Sequence, residues 1–219
     1  MAPQVQLYGR TLTHGSDPAQ LALTFDDGPN DPHTLHLLEL LEKRQAHATF
    51  FLIGKYVRRR PDIVRAIHAA GHAIGNHTES HPNLIFVSER RLRQELEQCS
   101  RAIEDAIGTR VRLFRPPFGG RRPAVLRVAR RLGLEPVMWS VTAYDWKAAS
   151  SEQIVQNIAR SMAARRRPQG EIVLLHDGSH LKFGTDRIFT VQATRALLEK
   201  YSLEGKKLVE VTAMEWKPR

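Results

Sequence analysis

The chain has 219 residues, 42% of them hydrophobic and 26% charged; these are ordinary globular values that exclude a disordered, collagen-like or coiled-coil protein. A single cysteine, Cys99, excludes an internal disulfide and a cysteine-based zinc finger. The 33 basic and 23 acidic residues leave a net charge of +10, and residues 1–110 carry 13 of each sign, so the whole excess lies in residues 111–219 and raises nucleic acid or another anionic polymer as a partner.

Residues 1–19 read as an N-terminal extension outside the pattern that follows. From there short apolar runs alternate with helical periodicity. Strands are expected at 21–25, 48–53, 73–76, 111–114, 136–141, 172–175 and 207–211. Helices are expected at 33–44, 61–70, 89–107, 124–132, 151–165 and 192–201. Runs such as LALTF and EIVLL are nearly continuous apolar stretches, as in strands covered on both faces. Gly71, Gly108 and Gly133 follow helical patterns as C-terminal caps do, and Ser88 and Ser150 are candidate N-caps. Seven strands with six helices between them describe a β/α domain with a parallel sheet, either a slightly short barrel or an open doubly wound sheet.

No stretch approaches the ~20 apolar residues of a membrane-spanning helix. The start, MAPQVQLYGR, lacks the apolar run of a signal peptide. The expectation is a cytoplasmic protein, or an exported one whose targeting segment is absent from this sequence.

Chemically capable residues collect just after the strands, and in a parallel β/α architecture these ends open onto one face. Five clusters lie there. The first is Thr24-Phe25-Asp26-Asp27-Gly28-Pro29. Adjacent side chains are expected to diverge, so one carboxylate would bind a metal while the other accepts a proton; an acidic turn is the plainer reading. The second is His77-Thr78-Glu79-Ser80-His81, whose histidines project together if the segment makes one helical turn. The third is Arg115-Pro116-Pro117-Phe118-Gly119, a stiff segment whose guanidinium could orient a carboxylate. The fourth is Tyr144-Asp145-Trp146. The fifth ends a strand on His176, within Leu174-Leu175-His176-Asp177-Gly178, and suits acid–base work near neutrality. One aspartate with two histidines makes a three-ligand site with open positions for water.

Taken together, TFDDGP, HTESH, RPPFG, YDW and LLH resemble the polysaccharide deacetylase family, also called the NodB-homology domain or carbohydrate esterase family four. The motifs span residues 24–176. The resemblance implies a distorted, TIM-like (β/α) barrel of seven parallel strands, with residues 20–219 forming a single catalytic domain. It implies metal-dependent removal of acetyl groups from N-acetylglucosamine-containing polysaccharides. Carried over by position, Asp27, His77 and His81 would bind one divalent metal ion, zinc ahead of cobalt or nickel. Asp26 would be the catalytic base and His176 the catalytic acid. Arg115 would orient Asp26, and Asp145 would tune His176. Trp146 and Leu174 would wall the pocket for the acetyl methyl, and Phe118 would offer a backbone N–H to the oxyanion. Two positions depart from the common family pattern: Thr142, where many members carry aspartate, and Phe118, where many carry tyrosine.

Other readings stand beside this one. Two histidines and a carboxylate also make the facial triad of non-haem iron oxygenases, in which Asp26 and His176 have no evident task. A basic module with an inactive site could bind an anionic polymer. An esterase could remove O-acetyl groups from a xylan-type polymer. The deacetylase reading expects an acetylated polysaccharide or oligosaccharide as partner, no nucleic acid, no membrane span and a monomer. It also gives the charge a place. Seven arginines and no acidic residue lie between Arg112 and Arg131. Arg121 and Arg122 follow RPPFGG directly and are expected to border the catalytic face and bind anionic substrate.

Overall fold

The computed structural model describes Gln6, residues 9–165 and residues 167–216. In these residues nine strands make one sheet: β1 (His14–Gly15), β2 (Gln20–Gly28), β3 (Thr49–Leu52), β4 (Ala73–Asn76), β5 (Leu113–Phe114), β6 (Glu135–Pro136), β7 (Val141–Thr142), β8 (Gly170–His176) and β9 (Lys207–Leu208). β2 lies at the centre, between β8 and β3, and β4, β5 and β6 follow β3 in order. β7 joins β8, and β9 joins the start of β2. Among the described residues, only β1 pairs antiparallel, on β8. The sheet curls into a distorted barrel. Each of the seven expected parallel strands is present, the fifth in two pieces.

That split has a local cause. The amide of Val137 donates to Phe114 of β5, that of Met138 to Leu12, and that of Ser140 to Ile172 of β8. The segment therefore changes partner midway and cannot form one ladder. The N-terminal extension enters the same gap: Leu12 bridges Val137, and β1 pairs with β8.

Among the described residues seven α-helices flank the sheet: α1 (His33–Lys43), α2 (Gly54–Arg59), α3 (Pro61–Ala69), α4 (Glu89–Ile107), α5 (Pro123–Arg131), α6 (Ser151–Ala163) and α7 (Ile188–Leu203). Ser88 and Ser150 cap α4 and α6 by accepting from the amides of Arg91 and Gln153. Gly108 closes α4 in the left-handed conformation. α2 is absent from the sequence reading. Its six residues are too few to show a helical period, and it leaves β3 without a loop.

Alternation along the strands sorts two cores. Leu21, Leu23 and Phe25 of β2 pack outward with Phe50, Leu52, Val173 and Leu175 beneath the helices. Ala22, Phe51, Leu113, Val137 and Ile172 fill the barrel, plugged by Val211 and Met214. The period of two then dictates that Thr24 and Asp26 follow Ala22 inward, and that Leu174 and His176 follow Ile172. No helix among the described residues is long and apolar enough to cross a membrane.

Candidate active site

Asp26 and His176 are register partners on adjacent strands. Strict alternation would send Asp27 to the outer face. Instead the β2–β3 register shifts between Asp26 and Gly28, and Asp27 takes a φ of 72°. This bulge turns the second carboxylate into the same cavity, so the expectation that the two diverge is corrected. Aspartate tolerates the left-handed region better than most residues. Close approach also matters: a Cβ on Gly178 would run into the backbone of Asp27. Of the six described non-glycine residues with positive φ, five lie at the strand ends or in the loops that follow them on the cavity side: Asp27, Thr78, His81, Phe118 and Tyr144. Backbone strain of this kind gathers where geometry must be exact for function.

Arg115 anchors the centre. It is fully buried inside the barrel, with its guanidinium 4.1 Å over the Phe51 ring. Its Nη1 donates to Asp26 Oδ1 at 2.8 Å and to Thr24 Oγ1 at 2.7 Å, and Nη2 donates to the Met138 carbonyl at 2.9 Å. One oxygen of Asp26 is thereby fixed. The other lies 3.7 Å from His77 Nε2.

One oxygen or ring nitrogen each from Asp27, His77 and His81 lies within 4.8 Å of the others, and all three residues are buried. Asp27 Oδ1 is 3.5 Å from His77 Nε2 and 3.2 Å from His81 Nε2. Among the described residues that oxygen accepts no hydrogen bond. His77 Nδ1 contacts the Arg115 carbonyl at 2.7 Å, which leaves Nε2 for the cluster. Burial, with the charge of His77, pushes His81 down to about 3. Burial alone would raise Asp27, but the hydrogen bond from His180 and the charges of His77, His176 and His81 hold it below the usual carboxylate range. A neutral His81, an ionised Asp27 with an unsatisfied inward oxygen, and a His77 whose Nε2 is left for the cluster suit a divalent metal. The three residues fit one.

The opposite wall carries His176. Its Nδ1 meets Asp145 Oδ1 at 2.9 Å, and its backbone N–H donates to Asp145 Oδ2 at 2.7 Å. Thr190 of α7 donates to the same Oδ2 at 3.0 Å. Burial alone would lower His176, but the charge and hydrogen bond of Asp145, with the charges of Asp27 and Asp26, push it up to about 9. Trp146 packs edge-on against the ring at 5.0 Å.

Between the walls lies a cavity of about 580 Å³, of a size that holds small ligands. Leu174 sits at its floor, with Phe118 and Trp146 half-exposed at the rim. Ten of the twelve expected site residues thus meet. Arg121 and Arg122 do not line the cavity, which corrects their placement on the substrate face. Arg121 is buried and its Nη1 lies 3.4 Å from Thr11 Oγ1. Arg122 donates to the carbonyls of Leu84, at 3.4 Å, and Val87, at 2.7 Å. The left-handed turn at Gly119 and the start of α5 at Pro123 carry both side chains towards the protein's own loops.

The sequence reading missed Trp139, His180 and Arg187, which also line the cavity. Trp139 lies within the break between β6 and β7. His180 and Arg187 belong to the loop between β8 and α7, where no periodicity marks orientation.

The family profile described as polysaccharide deacetylase matches residues 14–137. A chitooligosaccharide deacetylase of Azorhizobium caulinodans is 36% identical over 175 residues, covering 80% of this chain and 81% of the relative. A peptidoglycan-N-acetylglucosamine deacetylase of Bacillus cereus is 35% identical over 196 residues, covering 89% and 87%. A solved peptidoglycan N-acetylglucosamine deacetylase superposes with a TM-score of 0.83 at 30% identity, covering 94% of this chain and 92% of that one. A profile match over more than half the chain, these relatives and a barrel with its histidines and carboxylates at the strand ends place the chain in the polysaccharide deacetylase family.

Proposed function

We propose that the protein removes acetyl groups from N-acetylglucosamine-containing polysaccharide, of the chitin-oligomer or peptidoglycan type, with a divalent metal, zinc ahead of cobalt or nickel. One observation carries the reading: a carboxylate fixed by Arg115 stands beside the metal-ligand group, and an imidazole charged through Asp145 faces it across one cavity. A base and an acid are then available on two sides of one amide carbonyl.

Asp27, His77 and His81 would hold the metal, which when bound polarises the acetyl carbonyl and makes water a better nucleophile. Asp26 takes a proton from the attacking water, and Arg115 keeps its carboxylate aimed. The backbone N–H of Phe118 receives the developing oxyanion. The C–N bond breaks as His176 gives its proton to the leaving nitrogen, so the products are acetate and a free amine. Asp145 keeps His176 protonated at neutral pH. Leu174 and Trp146 enclose the acetyl methyl. All of these groups come from one chain, so the proposed chemistry calls on no residue of a second copy.

The test is acetate release from chitin oligomers, peptidoglycan and acetylated xylan, with defined metals added to metal-free protein. Acetate from either of the first two, abolished by a chelator and restored by zinc, is the expected result. Release from xylan alone, or chelator-resistant release, would overturn the reading.

A further inference from the structure

His77 and His81 are held in different ways. His77 has the Arg115 carbonyl behind it, the usual means of fixing a ligating imidazole. His81 has no such support: its Nδ1 is buried and makes no hydrogen bond among the described residues. What presses on it is the ring of His180, stacked with 4.2 Å between centroids and 16° between planes. The Phe118 ring closes the other approach at 4.7 Å.

The same His180 reaches Asp27. Its backbone N–H donates to Oδ2 at 3.2 Å, and its Nδ1 lies 3.5 Å from that oxygen. Oδ2 is occupied, so Oδ1 is the atom left for the ligand group. His180 is in turn tied to α2. Lys55 Nζ donates to its carbonyl at 3.2 Å, and the Tyr56 hydroxyl donates to the carbonyls of Ser179, at 2.9 Å, and His180, at 3.3 Å.

We propose that His180 is a positioning residue for the metal site. Its ring fixes the plane of His81, and its amide and Nδ1 fix Asp27, so that each ligand offers a single atom. The inference rests on the metal-dependent reading above. It also gives α2 a task, since this short helix holds the loop that holds two ligands.

The test titrates zinc and cobalt against a competing chelator into metal-free wild-type protein, His180→Ala and His180→Phe. The visible spectrum of the cobalt form and the melting temperature of the metal-free form are recorded alongside. His180→Ala is expected to weaken metal affinity about 10–100-fold, the usual effect of losing an outer-shell partner. Its cobalt bands should shift while its metal-free melting temperature stays close to wild type. His180→Phe keeps a flat ring against His81 and should recover part of the loss. Wild-type affinity and bands in His180→Ala would overturn the proposal and leave the deacetylase reading standing. Wild-type protein that takes up neither metal would overturn that reading and this proposal together. Should His180→Ala fail to fold, His180→Leu, which keeps bulk but neither the flat ring nor Nδ1, decides: weaker binding with altered bands supports the proposal, and wild-type values overturn it.

Discussion

The two walls of the cavity use the same side chain in opposite states. On one, burial and a neighbouring imidazole push His81 down to about 3. On the other, His176 faces the same penalty of burial yet is pushed up to about 9, because Asp145 holds its Nδ1 at 2.9 Å. Asp27 does not do this for His81: its Oδ1 lies 3.2 Å from Nε2 without a hydrogen bond, and the charges of His77 and His180 oppose it. Burial disfavours the charged imidazole everywhere, and a dedicated carboxylate at hydrogen-bond distance reverses the outcome. The neutral ring can take a metal, and the charged ring can give a proton.

The strongest way to break this comparison is to remove a ligand. Asp27→Ala or His81→Ala should strip the metal and, with it, all chelator-sensitive acetate release; elemental analysis reads the first effect. Unchanged metal stoichiometry in His81→Ala would take that residue out of the ligand set. Next comes Asp26→Asn, expected to keep the metal and lose about 10²–10⁴-fold in turnover, the scale of general base catalysis. Turnover near wild type would show that another group takes the proton.

Asp145→Asn addresses the charged wall alone. An acid must be protonated to act, so activity falls as pH rises through its pKa. With Asp145 present that fall belongs near pH 9. Without the carboxylate, burial is opposed only by the charges of Asp27 and Asp26, and the fall should move to lower pH. A basic limb that stays in place would disconnect the pair. The smallest effect belongs to Thr190→Val, which removes one of the hydrogen bonds to Asp145 Oδ2. It should cost about 0.5–1.5 kcal/mol of stability in denaturant unfolding, with a small downward shift of the same limb.

Much of this site was legible because a parallel sheet sends every strand end to one face. Asp26 and His176 end apolar runs, and a period of two aims both inward. The direction of Asp27 was not legible, since it depends on a bulge set by pairing with β3 rather than by its own neighbours. Arg121 and Arg122 show the same limit. Position after RPPFGG placed them near the site in sequence, but the turn at Gly119 and the carbonyls of Leu84 and Val87 decided their direction. His180 stands four residues beyond its strand, where only tertiary contacts to Asp27 and α2 reveal a task.

The segment from Leu12 to Gly15 sits between residue 137 and β8, where the parallel strands fail to meet along their lower half. A chain shortened to start after Gly15 would keep every residue of the cavity. It would also leave peptide groups beside Val137 and along Gly170–Glu171 without strand partners. Such margins recruit strands from other molecules. Shortened protein should therefore self-associate as its concentration rises, visible by light scattering, which makes residues 12–15 guardians of solubility rather than contributors to chemistry.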